Sequence, residues 1–232
     1  SVAAPVQSAD KPKRGEVYEL GKDDWKKIGA PKPESLEGQL LAIRKLIAAE
    51  KGDEAIKLAD QWIRANPRHR LTDEAYLLRG DAKLSKKLYH DALFDYEYLV
   101  RQFPGSKWFD TALEREFQVA RAYAYGTKRL FLGMRSISAY DDAEELFIRI
   151  WERREGSALA ERALFELAEM LYRQGYMRRA VDAYDMFLIN YPKSQWGQRA
   201  MKQLVQAALA TFKGPRYDAT GLIEARRRLL QF

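Results

Sequence analysis

A block of residues that recurs four times along the chain constrains the fold more than any other feature. Each block starts at an alanine and closes 12 residues later, at a proline in three copies and at a glutamate in the other. The starting alanines are Ala55, Ala92, Ala143 and Ala180, so they are spaced 37, 51 and 37 residues apart. Because fixed spacing over tens of residues is typical of stacked structural units, the sequence predicts a repeat protein.

The apolar residues inside each block follow a helical period. They stand four, seven and eight residues after the alanine, which places them with it on one face of an α-helix. A small residue at the start of this stripe lets a neighbouring helix approach closely. The stripe consists of Ala59, Trp62 and Ile63, then Tyr96, Leu99 and Val100, then Phe147, Ile150 and Trp151, and finally Tyr184, Phe187 and Leu188.

A second helix is predicted between successive blocks. It is marked by Ala75, Ala112, Ala163 and Ala200, which repeat with the same steps of 37, 51 and 37 residues. A lone helix pair would leave its apolar face in water, whereas stacked pairs bury a continuous core. We therefore expect an all-α protein, a right-handed α-α superhelix of about five antiparallel helix pairs. The predicted pairs are 36–50 with 52–66, 70–85 with 88–103, 107–126 with 138–154, 158–174 with 176–191, and 195–212 with 218–232.

Residues that begin and end helices agree with these bounds. Ser106, Ser157 and Ser194 precede three of the first helices and are predicted to cap them, because a serine hydroxyl accepts from free amides of the first turn. In the first copy His69 fills this position, and Thr72 is an alternative cap. The residues expected to stop the second helices are Pro67, Pro104, Pro192 and, in the third copy, Gly156.

Composition and charge narrow the functional class. The chain is 47% hydrophobic and 31% charged, which argues against a disordered protein, and no apolar run approaches the roughly 18 residues of a membrane helix. The net charge of +7 is concentrated in segments 126–137 and 213–232, each of which carries +3. A basic balance fits nucleic acid, anionic lipid or an acidic protein partner.

The sequence contains few residues of the types that catalyse reactions or bind metals. The absence of cysteine excludes disulfides, thiolate metal sites and cysteine nucleophiles. The two histidines, His69 and His90, belong to separate repeats, and the sequence has no phosphate-binding loop, nucleophile elbow or zinc-helix motif. We therefore expect a protein that is not an enzyme, with no catalytic residue, no metal and no cofactor.

These landmarks resemble the second half of the tetratricopeptide repeat (TPR). Gly80, Ala92, Tyr96 and Pro104 fit the family pattern within one copy. The tryptophan usual in the first helix is replaced, for example by Tyr76, and the 37-residue step exceeds the family's usual length of about 34. The resemblance implies a TPR-like solenoid over residues 35–232 that acts as a scaffold for protein–protein interaction.

Two phrases within the repeats, residues 96–106 and 187–194, are similar to the BamD family of bacterial lipoproteins, which help assemble outer-membrane barrels. This resemblance implies an adaptor at the periplasmic face of the outer membrane, whose partners are outer-membrane assembly subunits or nascent barrel proteins. Family members are anchored through a lipid on an N-terminal cysteine, so we expect a lipid anchor upstream of Ser1. A cytoplasmic location stays open.

The family also indicates where partners bind. The inner face of its solenoid is lined by first-helix residues just off the core register. Several of these positions are basic here, which suits an acidic peptide or a C-terminal carboxylate; the alternative is an ordinary hydrated surface. The mapped residues are Gln118, Arg121, Arg162, Phe165, Glu169, Tyr172, Arg173, Arg199, Lys202 and Gln206.

An insertion in the third pair is a second candidate for partner binding. This pair is 14 residues longer than its neighbours, and the extra residues lie close to 126–137. One hypothesis is a flap that folds over the groove, and the other is a loop that docks a partner. The insertion mixes the basic residues Lys128, Arg129 and Arg135 with the apolar residues Leu130, Phe131, Leu132, Met134 and Ile137.

The first 34 residues break the repeat pattern. They contain Pro5, Pro12, Pro31 and Pro33, so this segment is predicted to be extended or irregular. Its apolar residues are expected to pack on the first helix pair or on a partner, without forming a domain. Those residues are Val17, Tyr18, Leu20, Trp25 and Ile28.

Three functions are consistent with these observations. The leading one is an adaptor in outer-membrane protein assembly. The second is a TPR scaffold of another pathway, such as envelope division or secretion. The third, nucleic-acid binding by the basic segments, is the least favoured and predicts an affinity that depends strongly on salt.

Overall fold

The computed structural model describes residues 17–20, 25–28, 31–131 and 134–211, together with positions 223, 225–227 and 230. Up to residue 211, the described ranges form nine helices and two short antiparallel hairpins. All nine helices begin and end within two residues of the predicted bounds. The elements are β1 (Val17–Leu20), β2 (Trp25–Ile28), α1 (Leu36–Ala48), α2 (Gly52–Ala65), α3 (Thr72–Ser85), α4 (Tyr89–Gln102), α5 (Phe109–Ala124), β3 (Arg129–Phe131), β4 (Met134–Ile137), α6 (Tyr140–Arg153), α7 (Ala158–Arg173), α8 (Met177–Asn190) and α9 (Gly197–Ala210).

The helices stack as successive pairs, which confirms the predicted TPR-like solenoid. Every helix packs against the next one along the chain. Contacts also join α1 to α3, α5 to α7 and α7 to α9. We call α1, α3, α5, α7 and α9 the A helices, and α2, α4, α6 and α8 the B helices. The A helices therefore form one side of the stack.

The recurring alanines lie at the centre of the core, as predicted. All eight have a relative exposure of 0%. Gly80 in α3 also allows close packing, because a Cβ added to it would lie 2.5 Å from the ring of Tyr96. Small residues thus set how closely the helices approach, and the aromatic residues of the B helices fill the space between them.

The apolar interior consists of two large clusters that meet at α3. The first pair and α3 share one cluster, which contains Trp62, Ala75 and Leu78. The other starts at Leu77 of the same helix and continues to Ala207 in α9. Neighbouring residues of α3 therefore belong to different parts of the core, and Tyr76 of this helix packs against both clusters.

The predicted caps are right for one helix and wrong for two. Ser157 accepts from the amide of Ala160 at 3.1 Å and caps α7. Ser106 accepts from Trp108 at 3.0 Å and Ser194 from Trp196 at 3.0 Å. Both serines shape a turn that precedes the helix, because α5 and α9 begin two residues later than predicted.

The first copy reproduces this turn with a different side chain. His69 accepts from the amide of Leu71 at 3.3 Å, so it takes the place of the serines, as expected. The alternative cap was wrong: Thr72 lies inside α3, and its hydroxyl donates to the carbonyl oxygens of Asn66 and His69.

The helix stops agree with the sequence prediction. Three B helices end two residues before Pro67, Pro104 and Pro192. After α6 the chain turns at Gly156, which has a φ of 77°. The A helices that lead into a B helix share one closing turn, in which a residue with positive φ follows the helix. That residue is Glu50, Lys87, Gly126 or Gly175.

Strands occur in the N-terminal segment, which was predicted to be extended or irregular, and in the insertion, which was predicted to be a flap or a docking loop. In the N-terminal segment β1 pairs with β2, with Val17 opposite Ile28 and Leu20 opposite Trp25. In the insertion β3 pairs with β4, with Arg129 opposite Ile137 and Phe131 opposite Met134. The closing pair leaves two residues to link the strands, so the insertion contains a β-hairpin.

The predicted helix 218–232 lies largely outside the described residues. Positions 223, 225–227 and 230 are helical. Ala225 is buried against Val205 and Ala208 of α9 and Val181 of α8. A fifth pair is therefore supported at this contact. None of the helices in the described ranges combines the length and the apolar character that crossing a bilayer requires.

Candidate functional site on the A helices

All ten predicted groove residues lie on the A helices. Seven of them, all except Phe165, Glu169 and Gln206, are taken together as one set. Five of these side chains are exposed and two, Arg162 and Tyr172, are partly buried. Contacts between neighbouring A helices bring most of them together, as described below. We call this set the A-helix face: Gln118 and Arg121 on α5, Arg162, Tyr172 and Arg173 on α7, and Arg199 and Lys202 on α9.

Ion pairs link α5 to α7 across the A-helix face. Arg162 donates to Glu114 at 2.8 Å, and Arg121 lies 3.0 Å from Glu166. Further along, the hydroxyl of Tyr172 donates to Gln206 of α9 at 3.3 Å. These contacts hold side chains of successive repeats in fixed positions, and they neutralise part of the positive charge that the sequence indicated.

Two predicted groove residues turn out to be structural. Glu169 is only 5% exposed, accepts from the hydroxyl of Tyr184 at 2.8 Å and forms an ion pair with Arg199. Phe165 is buried, and its ring stacks on Trp196 at 5.3 Å. Their prediction as partner-binding residues is wrong, because contacts to α8 and α9 enclose them.

The same arrangement occurs earlier in the chain. Asp81 of α3 accepts from Tyr96 at 2.9 Å and from Arg115 at 2.8 Å. In both copies a B-helix tyrosine, an A-helix carboxylate and an arginine of the next A helix form one network. Burial and the adjacent carboxylate raise the pKa of Tyr184 well above its ordinary value, so this hydroxyl stays a donor.

An exposed aromatic residue at the end of α5 was missed by the sequence analysis. Tyr125 is 61% exposed, and the guanidinium groups of Arg173 and Arg121 lie 4.3 and 5.7 Å from its ring centroid. Arg173 also donates to the carbonyl oxygen of Ala124 at 3.3 Å. The four-residue spacing from Arg121 was the available signal, since it places the two side chains on one helix face.

Positive charge without a carboxylate partner remains on this face. Among the described residues, no ion pair involves Arg173 or Lys202, and Gln118 is exposed. The A-helix face therefore combines ion-paired residues with free donors and an exposed ring. This arrangement can bind a carboxylate-bearing segment through charge-assisted hydrogen bonds.

The remaining predicted residues lie in the insertion. Lys128 precedes β3, Arg129 and Phe131 belong to β3, and Met134 and Arg135 belong to β4. Leu132 lies outside the described residues. Strand β3 packs against α4, which is a B helix. The structure thus places these residues apart from the α7 and α9 residues of the A-helix face.

Two carboxylates lie close together between α4, α5 and α6. Arg153 donates to both oxygens of Glu97, at 2.7 and 2.8 Å, and lies 3.5 Å from Glu116. The arginines beside it lower the pKa of Glu97 to about 2, against the effect of burial. Burial, and then the charge of Glu97, raise the pKa of Glu116 to about 8.

Split pKa values of this kind are typical of general acid–base pairs. Here Glu116 is only 1% exposed, so a substrate has no access to it. The cluster is therefore part of the packing between repeats. Across the described ranges, His, Asp and Glu side chains do not form a group of three or more that is arranged to hold a metal ion.

Comparisons with known proteins find solved structures of helical-repeat proteins that align with this chain. No family model and no curated protein matches the sequence. The MamA protein is 17% identical and aligns over 86% of this chain and 92% of its own, with a TM-score of 0.49. A putative kinesin light chain from Podosopora anserina with nearly identical TPR-like repeats is 18% identical over 86% and 94%, with a TM-score of 0.45.

A third similar structure is TTC0263, a thermophilic TPR protein in Thermus thermophilus. It is 14% identical over 84% of this chain and all of its own, with a TM-score of 0.37. At such identities and TM-scores these proteins carry no conclusion about function. The function is therefore inferred from the chain's own surface.

Proposed function

We propose that this protein is a non-enzymatic scaffold that binds an extended, carboxylate-bearing segment of a partner protein on its A-helix face. The observation that carries the proposal is the surface of α5, α7 and α9. Ion-paired residues of these helices share it with Arg173 and Lys202, which form no ion pair among the described residues, and with the exposed ring of Tyr125. A surface held in place before binding loses less conformational entropy on association.

The charges on the A-helix face indicate that the partner segment carries a carboxylate. Glu114, Glu166 and Glu169 are all engaged by arginines of neighbouring A helices. An incoming carboxylate therefore meets Arg173 and Lys202 without displacing an existing ion pair. An aromatic or apolar side chain next to that carboxylate gains contact with Tyr125, in the way that exposed aromatic anchors contribute to interfaces.

We further propose that the partners are subunits or nascent barrel proteins of outer-membrane assembly, and that the scaffold acts at the periplasmic face of the outer membrane. Supporting this role is the similarity of residues 96–106 and 187–194 to the BamD family. In the structure both segments include the end of a B helix and the turn that follows.

Peptide binding tests both levels of the proposal. Fluorescence anisotropy would measure the affinity for a labelled peptide from the last strand of an outer-membrane barrel protein, with a free C-terminal carboxylate. Arg173→Glu and Lys202→Glu are each expected to weaken binding by about tenfold, since each places a negative charge where the partner's carboxylate binds. Lys57→Glu on α2 is the matched control and is expected to change little.

The possible results separate the two levels. Unrelated acidic peptides could bind equally well and lose affinity in the same way with Arg173→Glu. That result would support a peptide-binding scaffold but contradict the role in outer-membrane assembly. Binding that both A-helix variants leave unchanged would contradict the A-helix face as the site.

A further inference from the structure

Helix α4 carries a row of aromatic side chains on the side that it exposes to solvent. His90, Phe94 and Tyr98 follow one another at intervals of four residues, so they lie on one side of the helix. All three are exposed, Phe94 by 64% and Tyr98 by 42%. We call these residues the α4 stripe. Single apolar residues are ordinary at a protein surface, whereas a contiguous row of them is typical of an interaction site.

The repeat provides an internal comparison for Phe94. The equivalent positions in the other B helices lie 37 residues earlier, 51 residues later and a further 37 residues later. They hold Lys57, Glu145 and Asp182. Charged residues at this position are compatible with the same helix packing, so the packing of α4 does not require an aromatic ring there. The exposed ring of Phe94 therefore indicates a contact with another molecule.

Contacts with neighbouring rings hold the α4 stripe in place. The ring of His90 lies edge-on to that of Phe94, with 4.9 Å between the centroids. The ring of Tyr98 stacks on Tyr76 of α3 at 4.2 Å and lies edge-on to Phe103 at 6.2 Å. Rings that are ordered before binding lose less conformational entropy on association.

A cleft of about 150 Å³ lies between the α4 stripe and α6. Its lining is partly apolar, with His90, Leu93 and Phe94 on α4 and Leu146 on α6. This volume is below the roughly 300 Å³ of the smaller pockets that hold a separate ligand. The cleft therefore suits one side chain of a longer segment that lies along the surface.

Carboxylates outnumber cations in the lining of this cleft. Three carboxylates and one arginine line it, which leaves a charge of −2; they are Glu97, Asp142 and Glu145, with Arg149. Arg153 donates twice to Glu97, so the excess lies on the α6 wall. The side chain of Glu145 is 69% exposed, and its 3.8 Å separation from Arg149 is too long for a hydrogen bond. Because the whole chain carries +7, this cleft has the opposite sign and favours a cationic partner.

We propose that the cleft between α4 and α6 binds an arginine side chain from an extended segment of a partner protein. The guanidinium group stacks on the ring of Phe94 and donates to the carboxylate of Glu145, and an apolar neighbour in the segment contacts Tyr98. Arginine fits both walls because its planar cation stacks on aromatic rings and forms paired hydrogen bonds with carboxylates. The cleft lies between B helices, so the proposal does not depend on what binds the A-helix face.

Isothermal titration calorimetry with the full chain tests the proposal. The probe is an amidated peptide in which arginine alternates with leucine, so it offers no C-terminal carboxylate to the A-helix face. A matched peptide with citrulline in place of each arginine keeps the shape and lacks the charge. It is expected to bind at least about tenfold more weakly. Binding of the arginine peptide should also weaken as the salt concentration rises, because exposed charges are screened.

Two substitutions locate the binding site on the protein. Phe94→Gln removes the ring and Glu145→Lys places a cation where the guanidinium group binds, so each should weaken binding by about tenfold. Ile189→Gln and Asp182→Lys are the matched controls on α8, because Ile189 is 75% exposed and Asp182 is the equivalent of Glu145 in the next repeat. Both controls, and Arg173→Glu on the A-helix face, are expected to change binding little. Circular dichroism verifies that each variant keeps its helices.

Four results would overturn the proposal. They are no binding of the arginine peptide, equal binding of the citrulline peptide, binding that Phe94→Gln and Glu145→Lys both leave unchanged, or equal weakening by the control substitutions. Sedimentation velocity adds a further check. A chain that dimerises, and no longer does so with Phe94→Gln, would show instead that the α4 stripe packs on a second copy.

Discussion

Glu116→Gln tests whether a neutral carboxyl group is buried between three helices. Glu116 of α5 is almost fully enclosed, and one of its oxygens has no hydrogen-bond partner among the described residues. Its other oxygen lies 3.5 Å from Arg153, which already donates twice to Glu97. Glutamine has nearly the same shape and stays neutral at every pH, so the substitution removes the titration and keeps the packing.

The sign of the effect follows from the two pKa values. In the unfolded chain the Glu116 carboxyl ionises near its ordinary value of 4.5, whereas in the folded chain its pKa is about 8. Between these values the folded state binds more protons, so the free energy of unfolding falls as pH rises. The slope is about 1.4 kcal/mol per pH unit, and the loss from about pH 5 to pH 8 is on the order of 4 kcal/mol.

Glu97 acts in the opposite direction and in another range of pH. Its pKa is lowered to about 2, so its stabilising effect is present above 4.5 and is lost as pH falls toward 2. The contribution of Glu116 is therefore measured above pH 4.5, where Glu97 is ionised in both states. In this range the titration of Glu97 does not overlap with that of Glu116.

Urea denaturation at a series of pH values measures the free energy of unfolding of the unaltered chain and of Glu116→Gln. Glu116→Gln should match the unaltered chain near pH 5 and exceed it by several kcal/mol near pH 8. Glu145→Gln is the control, because it removes the same formal charge from a side chain that is 69% exposed. Parallel stability curves for the unaltered chain and Glu116→Gln over this range would refute the reasoning.

Three further substitutions test the packing, each by urea denaturation at neutral pH. Gly80→Ala should destabilise by about 1–3 kcal/mol because the new Cβ meets the ring of Tyr96, whereas Gly105→Ala, with open space around it, should change little. Tyr184→Phe should cost about 1–3 kcal/mol, since it removes a donor from the buried carboxylate of α7. Glu50→Gly should stabilise by up to about 1 kcal/mol, because φ is 58° there.

Periodicity predicted the apolar part of this structure well. The alanine positions and the helix bounds follow from side chains that repeat every few residues, and all the recurring alanines are buried. Such patterns are local, so they can be read from a sequence without knowing which helices meet. The stops at Pro67, Pro104 and Pro192 were predictable for the same reason.

The charged part was less predictable, because it depends on contacts between distant residues. Glu169 resembles a groove residue in sequence, yet its partners Tyr184 and Arg199 stand 15 and 30 residues away and enclose it. Glu116 likewise lies inside because α4 and α6 cover it. The β-hairpin was missed for another reason: the insertion was interpreted as a flap or a docking loop, and it contains none of the two-residue turn signals that are typical of hairpins.

The division of the apolar interior at α3 determines how this molecule comes apart. The buried apolar residues of the first pair cluster with Ala75, Leu78 and Ala82 of α3, whereas those from Leu77 to Ala207 form a second, larger cluster, and Tyr76 packs against both. Amides of α1 and α2 are therefore able to exchange with solvent through an opening that leaves the larger body closed. A partner bound to the first pair would therefore contact the smaller cluster, which we expect to open first, and one bound to α5, α7 and α9 would contact the larger one.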